Sequence, residues 1–273
     1  MLSRSARAAA VAAVLGAALV ATPAHAQRVR LEIRPQVGDT IHMRLDQEIE
    51  VSGTSLAAAG GPKSMTGSIH VRTRAIPLRR LASGSIVRAV TDSIALAPIG
   101  GAPVTTPRSG LEGATVTMIV GTDGGMQVID TGEHDGGTTP FFPPTAPMLP
   151  TSPVSVGGRW TRTLQLPIGS GSAGIARVEA NFRLDSLSGN GDIAYITMNG
   201  TLNRIGGTGR SGGSQRSTGT LSGSMQLDRR LGWITDTRLV LNVHTVITSG
   251  DAARSPAQVQ MKVTQRLRAM RGS

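Results

Sequence analysis

The sequence predicts an all-β protein made of two similar antiparallel units in tandem, each half-barrel or sandwich-like, with helix essentially only in a signal peptide. Three observations lead to this prediction. Apolar and polar residues alternate over most of the chain, short turn motifs separate the alternating stretches, and the same order of strands, turns and loops occurs twice.

The first 26 residues have the features of a secretory signal peptide. Arg4 and Arg7 form a basic start, residues 8–20 are apolar and uncharged, and the sequence AHA at 24–26 is a small-x-small cleavage site. The apolar stretch is too short for a membrane-spanning helix, which needs roughly 20 residues. The chain has no cysteine, so it offers no lipid attachment site and no disulfide. We expect a periplasmic or secreted protein without a transmembrane segment after cleavage.

The composition restricts the partners. The formal net charge is +11, and Lys63 and Lys262 are the only lysines, so arginine carries nearly all of the positive charge. This balance suits an anionic partner such as lipid headgroups, although a basic surface also keeps a protein soluble. Aromatic residues make up only 2% of the chain, which argues against single-stranded nucleic acid because it binds to stacking platforms. We therefore expect no nucleic-acid partner.

The N-terminal β half is predicted to span residues 27–131. In residues 41–51 the apolar Ile41, Met43 and Leu45 alternate with charged residues, as in a strand with one buried face. Two hairpins are expected further on, with turns at Ser83-Gly84 and Gly124-Gly125. Longer loops rich in Gly, Ser and Pro are expected at 53–66 and 98–112.

The C-terminal β half is predicted to span residues 155–273. Residues 177–185 alternate in the same way, and hairpin turns are expected at 188–191 and 229–232. A mobile loop is expected at 205–217. Residues 256–270 fit both a strand and a helix, because Gln, Met, Arg and Leu favour helix, but the two-residue period matches more positions. A strand is favoured there.

The two halves look like copies of one unit. A proline and a Val-Gly pair precede the first strand of each, at Val37-Gly38 and Val156-Gly157, and Asp130-Thr131 corresponds to Asp236-Thr237 near the end. Hairpins with similar patterns could also look alike without duplication. The shared order of a short turn, a long loop and a second short turn favours a degenerate internal duplication.

A proline-rich linker is predicted between the halves, over residues 132–154. Prolines keep such a segment extended and remove backbone donors. Phe141 and Phe142 lie within it and could form a lid over a binding site or a plug. Trp160 and Trp233, with these two phenylalanines, are the candidate structural or ligand-lining aromatic residues. For Trp160 the expected role is a core anchor whose indole N–H needs an acceptor.

Two motifs carry a resemblance to a known group. They are Pro150-x-x-Pro153-Val154-x-Val156-Gly157-x-x-Trp160 and the G-x-M-x-L-D-x-x-L-G-W-I stretch at 223–234. With them the chain resembles a group of exported bacterial β-rich proteins of unknown function, which have two β halves and this junction. Gly158 stands where many members have an acidic residue. The resemblance implies a fold class and export, and no activity.

The sequence contains no metal-binding or catalytic motif with the residue spacing and setting that its function requires. His42, His70, His134 and His244 include no pair at metal-ligand spacing, and residues 130–137 lack the acid positions of a calcium loop. The G-x-S-x-G match at 209–213 lies in a Gly/Ser tract and not at a strand-to-helix turn. We therefore predict no catalytic residues, no metal, no cofactor and no enzymatic activity.

The predicted function is non-catalytic binding. An apolar or amphiphilic ligand such as a lipid, or an envelope partner, would lie between two curved sheets lined by Leu, Ile, Val and Met. An envelope hydrolase whose site assembles only in three dimensions is the alternative. Several arginines on solvent-facing strand positions could meet an anionic envelope surface, with a merely solvated face as the alternative. They are Arg28, Arg30, Arg34, Arg72, Arg74, Arg266 and Arg268.

Overall fold

The computed structural model describes residues 28–54, 64–97, 112–131, 147–167, 175–205, 214–248 and 256–272. Eleven strands account for most of them, and the predicted all-β class is confirmed. The strands are β1 (Ile41–Gly53), β2 (Ser64–Leu81), β3 (Gly84–Ala97), β4 (Thr115–Gly121), β5 (Met126–Asp130), β6 (Arg159–Pro167), β7 (Ile175–Ser188), β8 (Ile193–Ile205), β9 (Ser214–Asp228), β10 (Trp233–Thr248) and β11 (Ala257–Arg271).

Several predictions fall on residues outside the described part of the chain. They are the signal peptide at 1–26, the phenylalanines Phe141 and Phe142, His134, the G-x-S-x-G match at 209–213 and most of the proline-rich linker.

All the described strands form one antiparallel sheet. Its order is β5-β4-β3-β2-β1-β11-β10-β9-β8-β7-β6. Strands β1–β5 and β6–β10 therefore each form a five-stranded meander. The last strand of the predicted C-terminal half, β11, joins the two meanders by pairing with β1 on one side and β10 on the other. The stretch 256–270, for which helix was the alternative, forms β11. The two halves share one sheet and one hydrophobic core.

The two meanders share several irregularities at matching places, although the bulge at Asp92, where β3 pairs with β2, has no counterpart where β8 pairs with β7. Gly38 and Gly157 both have positive φ, 87° and 82°. The N–H of Gly38 donates to the carbonyl of Pro77 at 3.0 Å, and that of Gly157 donates to the carbonyl of Leu184 at 2.7 Å. Pro77 immediately precedes a bulge on β2, and Leu184 immediately precedes a bulge on β7.

A second pair of bulges also corresponds. Ile129 is the extra residue where β5 pairs with β4, and Thr235 is the extra residue where β10 pairs with β9. Both stand one residue before the Asp-Thr pair that the sequence aligns. Bulges are specific features of a fold and not random defects, so their agreement supports the duplication.

The ends of the sheet differ. We call the end with the four hairpin turns, after β2, β4, β7 and β9, the turn end. The other end, where the longer connections leave the strands, is the loop end. Successive residues of each strand alternate between an inner face, which carries the core, and an outer face, which is mostly polar.

The turn end is closed by two segments outside the strands. Residues 28–35 and 147–158 pair with each other through Val29 and Val154. The N–H groups of Met148 and Leu149 donate to the carbonyl of Asp123, in the β4–β5 turn, at 2.9 and 2.8 Å. The Leu149 carbonyl in turn accepts from Arg162 on β6 at 3.1 Å. Because β5 and β6 are the two edges of the sheet, residues 147–149 bridge the opening between them.

Glycines on the inner face allow the sheet to curve. Gly219 and Gly223 on β9 and Gly200 on β8 alternate with buried apolar residues. A Cβ atom at Gly200 would lie 2.7 Å from the carbonyl oxygen of Glu179, and one at Gly219 would collide with the carbonyl oxygen of Asn242. With no side chain there, the neighbouring backbones approach closely, as glycine kinks in curved sheets do.

This close approach predicts that Gly219→Val destabilises the protein. The new side chain would push β9 away from β10 and cost about 1–3 kcal/mol. Thr220→Val is the matched control, since Thr220 is the next residue on β9 and faces solvent. Urea unfolding of both variants measures the difference. Equal midpoints for the two variants would contradict the close approach.

Candidate functional site

The inner face is mostly buried at the turn end and includes more exposed apolar side chains at the loop end. Ile41, Leu184 and Leu227 near the turns have no exposed surface. Towards the loop end the face stays apolar, but Leu96 is 39% exposed and Ile247 is 43% exposed. We call this part the loop-end apolar surface. It consists of Ile49, Val51, Met65, Ile69, Leu96, Ile247, Val259, Met261 and Val263.

Strand register makes the part of this surface on β1, β2 and β11 continuous. Val51 on β1 lies opposite Met65 on β2 and Met261 on β11. Two residues nearer the turn end, Ile49 on β1 lies opposite Val263 on β11. Side chains opposite each other on one face of an antiparallel pair are in direct contact range. The aliphatic side chains of β1, β2 and β11 therefore form one patch.

A polar pair marks the boundary between this surface and the closed core. Gln47 on β1 lies opposite Gln265 on β11, and both side chains are partly buried on the inner face. Each amide carries donors and an acceptor. The pair therefore places hydrogen-bonding groups at the inner limit of an otherwise aliphatic surface.

The two tryptophans lie in the closed part of the molecule. Trp233 is 3% exposed and belongs to the core near the β9–β10 turn. Trp160 is partly buried, stacks on Phe182 with ring centroids 5.6 Å apart, and donates its indole N–H to the Met148 carbonyl at 2.8 Å. The acceptor that the sequence analysis expected for Trp160 is thus a backbone carbonyl of the segment that bridges the sheet edges.

The outer face carries charged residues around Asp46. The Arg44 Nε atom lies 3.0 and 2.9 Å from the two carboxylate oxygens of Asp46, and the His70 Nδ1 atom lies 2.8 Å from one of them. Partial burial raises the pKa of Asp46, but the hydrogen bonds from His70 and Arg44 and their charges outweigh it. The pKa of Asp46 is consequently held below its ordinary value.

Two shallow grooves lie on the outer face. The larger, of about 590 Å³, crosses β1, β11, β10, β9 and β8, and polar side chains such as Asn242, His244 and Gln260 line much of it. The smaller, of about 480 Å³, lies beside Asp46 and His70. The histidines in strands, His42 included, all occupy this outer face, as their positions in the alternation predicted.

Groups for catalysis or metal binding do not converge within the described ranges. No cluster of three or more His, Asp or Glu residues there could hold a metal ion. In the same part of the chain, no hydroxyl group hydrogen-bonds to His70. Sequence reasoning missed the cluster around Asp46, because His70 reaches it through the pairing of β1 with β2, which local patterns do not specify.

Comparison with known proteins adds little to this geometry. No family model and no curated protein matches the chain. Among solved structures, an outer membrane channel from Pseudomonas putida F1 is similar over 89% of this chain and 99% of that one, with 9% identity and a TM-score of 0.21. So slight a similarity supports no inference. In the part of the chain that is described, no helix has the length and apolar character needed to cross a membrane.

The contact of Trp160 with the bridging segment gives a prediction for Trp160→Phe. The stack on Phe182 can persist, but the Met148 carbonyl loses its donor, so we expect a loss of about 1–2 kcal/mol in unfolding free energy. Tyr195→Phe is the control, because the Tyr195 hydroxyl has no hydrogen-bond partner among the described residues. Denaturant unfolding provides the measurement, and a Trp160→Phe protein as stable as the control would show that the bond is unimportant.

Proposed function

We propose that this protein is a non-catalytic, exported binding protein that holds an apolar or amphiphilic molecule against its loop-end apolar surface. The observation that carries the proposal is the incomplete burial of aliphatic side chains on a face that is elsewhere a closed core. Covering such a surface stabilises a complex by roughly 25 cal/mol per Å² of apolar area removed from water.

The chemistry of the surface favours an aliphatic ligand. Ile, Val, Leu and Met line it, and neither tryptophan lies on it. Methionine side chains such as Met65 and Met261 are flexible and adapt to ligands of different shape. An acyl chain would fit these side chains better than an aromatic ring or a sugar would.

Gln47 and Gln265 would recognise a polar group on the ligand. They lie opposite each other where the aliphatic surface meets the buried core. A hydroxyl, amide or carboxyl group reaching that depth could both donate to and accept from the two amides. The proposed ligand therefore has an aliphatic part and at least one neutral or weakly charged polar group.

The proposed location is the periplasm or the extracellular space. It rests on the sequence of residues 1–26, with its basic start, apolar stretch and small-residue cleavage site. A binding protein for apolar molecules is useful there because such molecules are poorly soluble between membranes.

Binding of a fluorescent long-chain acid, 11-(dansylamino)undecanoic acid, tests the proposal. The wild-type chain from residue 27 onward should bind it saturably. Met261→Gln should weaken binding about three- to tenfold, because it replaces an aliphatic contact by a polar group of similar length. Lys262→Gln introduces the same residue one position further along β11, on the outer face, and should leave the affinity unchanged.

Two results would contradict the proposal. One is the absence of saturable binding to the wild-type protein. The other is an equal loss of affinity in Met261→Gln and Lys262→Gln, since that would place the probe away from the inner face.

A further inference from the structure

Three arginines lie side by side across three adjacent strands of the outer face. Arg44 on β1 is directly opposite Arg72 on β2 and directly opposite Arg268 on β11. Neighbouring strands are about 4.7–4.9 Å apart, so the three side chains leave the sheet within a span of about 10 Å. Like charges directly opposite each other in a sheet are destabilising.

Nearby carboxylates neutralise only one arginine of this row, Arg44. Asp46 binds Arg44 and His70, and Asp92 binds Arg74 at 2.7 Å. Within the described residues, Arg72 and Arg268 form no ion pair or hydrogen bond through their side chains. Two of the three arginines in the row are therefore left without an anionic partner in that part of the protein.

The carboxylate nearest to Arg268 in register is also engaged elsewhere. Asp236 lies opposite Arg268, but its oxygens contact Arg266 at 3.0 Å and Arg238 at 3.5 Å. Arg266 additionally has a buried Nε atom with no hydrogen-bond acceptor among the described residues. Guanidinium donors thus exceed the acceptors that this part of the outer face supplies.

We propose that Arg72, Arg44 and Arg268 bind a phosphoryl group on the outer face of the sheet. Guanidinium groups present planar pairs of N–H donors that match phosphate oxygens, and such charge-assisted hydrogen bonds are among the stronger ones in proteins. A phosphoryl group offers several oxygens and a charge near minus two, which would offset the repulsion within the row. This site is separate from the loop-end apolar surface and does not depend on the ligand proposed there.

The phosphoryl group can come from a soluble anion or from a lipid headgroup. The first arm of the test is calorimetric titration of the chain from residue 27 onward with inorganic pyrophosphate at low salt. The second is sedimentation with vesicles of phosphatidylcholine, with or without phosphatidic acid. Binding of pyrophosphate in solution would identify a soluble ligand, whereas binding only to vesicles with phosphatidic acid would identify a headgroup. Either result supports the site if it requires the same arginines.

The variants Arg72→Gln and Arg268→Gln test whether the row of arginines binds the phosphoryl group. Each should weaken binding about tenfold, since each removes charge-assisted hydrogen bonds. Arg177→Gln makes the same charge change on an exposed side chain of β7, five strands from β1, and should leave binding unchanged. Loss of affinity in Arg177→Gln equal to that in Arg72→Gln would overturn the proposal, as would no binding in either arm.

Stability without ligand separates a binding role from a structural one. Because Arg72 contributes repulsion and no ion pair in the described structure, Arg72→Gln should unfold at the same temperature as the wild-type protein or slightly higher in low salt without anions. A decrease comparable to that of Gly219→Val would show that Arg72 holds the sheet together, and would overturn the proposal.

Discussion

The closed core of the structure depends on residues 147–149, which link the two edges of the sheet. An eleven-stranded sheet with an apolar inner face buries that face only if the gap between its first and last strands is covered. Residues 147–149 cover the gap by donating to the Asp123 carbonyl on one side and accepting from Trp160 and Arg162 on the other. Leu149, with no exposed surface, then completes the core.

Because residues 147–149 cover only the turn end, the inner face has a buried region at that end and a partly exposed region at the loop end. At the turn end the bridge and residues 28–35 keep water out, and aliphatic residues there act as an ordinary core. At the loop end the same alternation continues on β1, β2 and β11, but the side chains keep part of their surface exposed. Stability is thus concentrated at one end, while the apolar surface available to a ligand lies at the other.

Local sequence patterns predicted the strands but not their arrangement. The alternation of residues 41–51 and the Val-Gly pairs specify short-range structure, and these elements appear as expected. The hairpin expected at Ser83-Gly84 is also present, but its turn lies one residue earlier, at Ala82-Ser83. Pairing of β1 with β11 joins residues that are far apart in sequence, and no local signal encodes such a register. The insertion of β11 between the two meanders, and the single sheet that results, could not be predicted for this reason.

The same limit applies to the candidate sites. A hydrogen-bond acceptor for the Trp160 indole N–H was expected, but only the fold identifies it as the Met148 carbonyl. The arginines Arg72 and Arg268 were recognised as solvent-facing, yet their position on either side of Arg44 depends on two strand registers. Sequence alone identified the chemistry of these residues, and strand pairing determined which of them are neighbours.

Amide hydrogen exchange at residues 148 and 149 tests the closure most directly. In this structure their N–H groups are bonded to Asp123, and Leu149 is completely buried. They should exchange as slowly as amides of the turn-end strands, such as that of Leu184. Exchange at the rate of an unstructured peptide would mean that residues 147–149 are only a connection between the halves, and that something else closes the core.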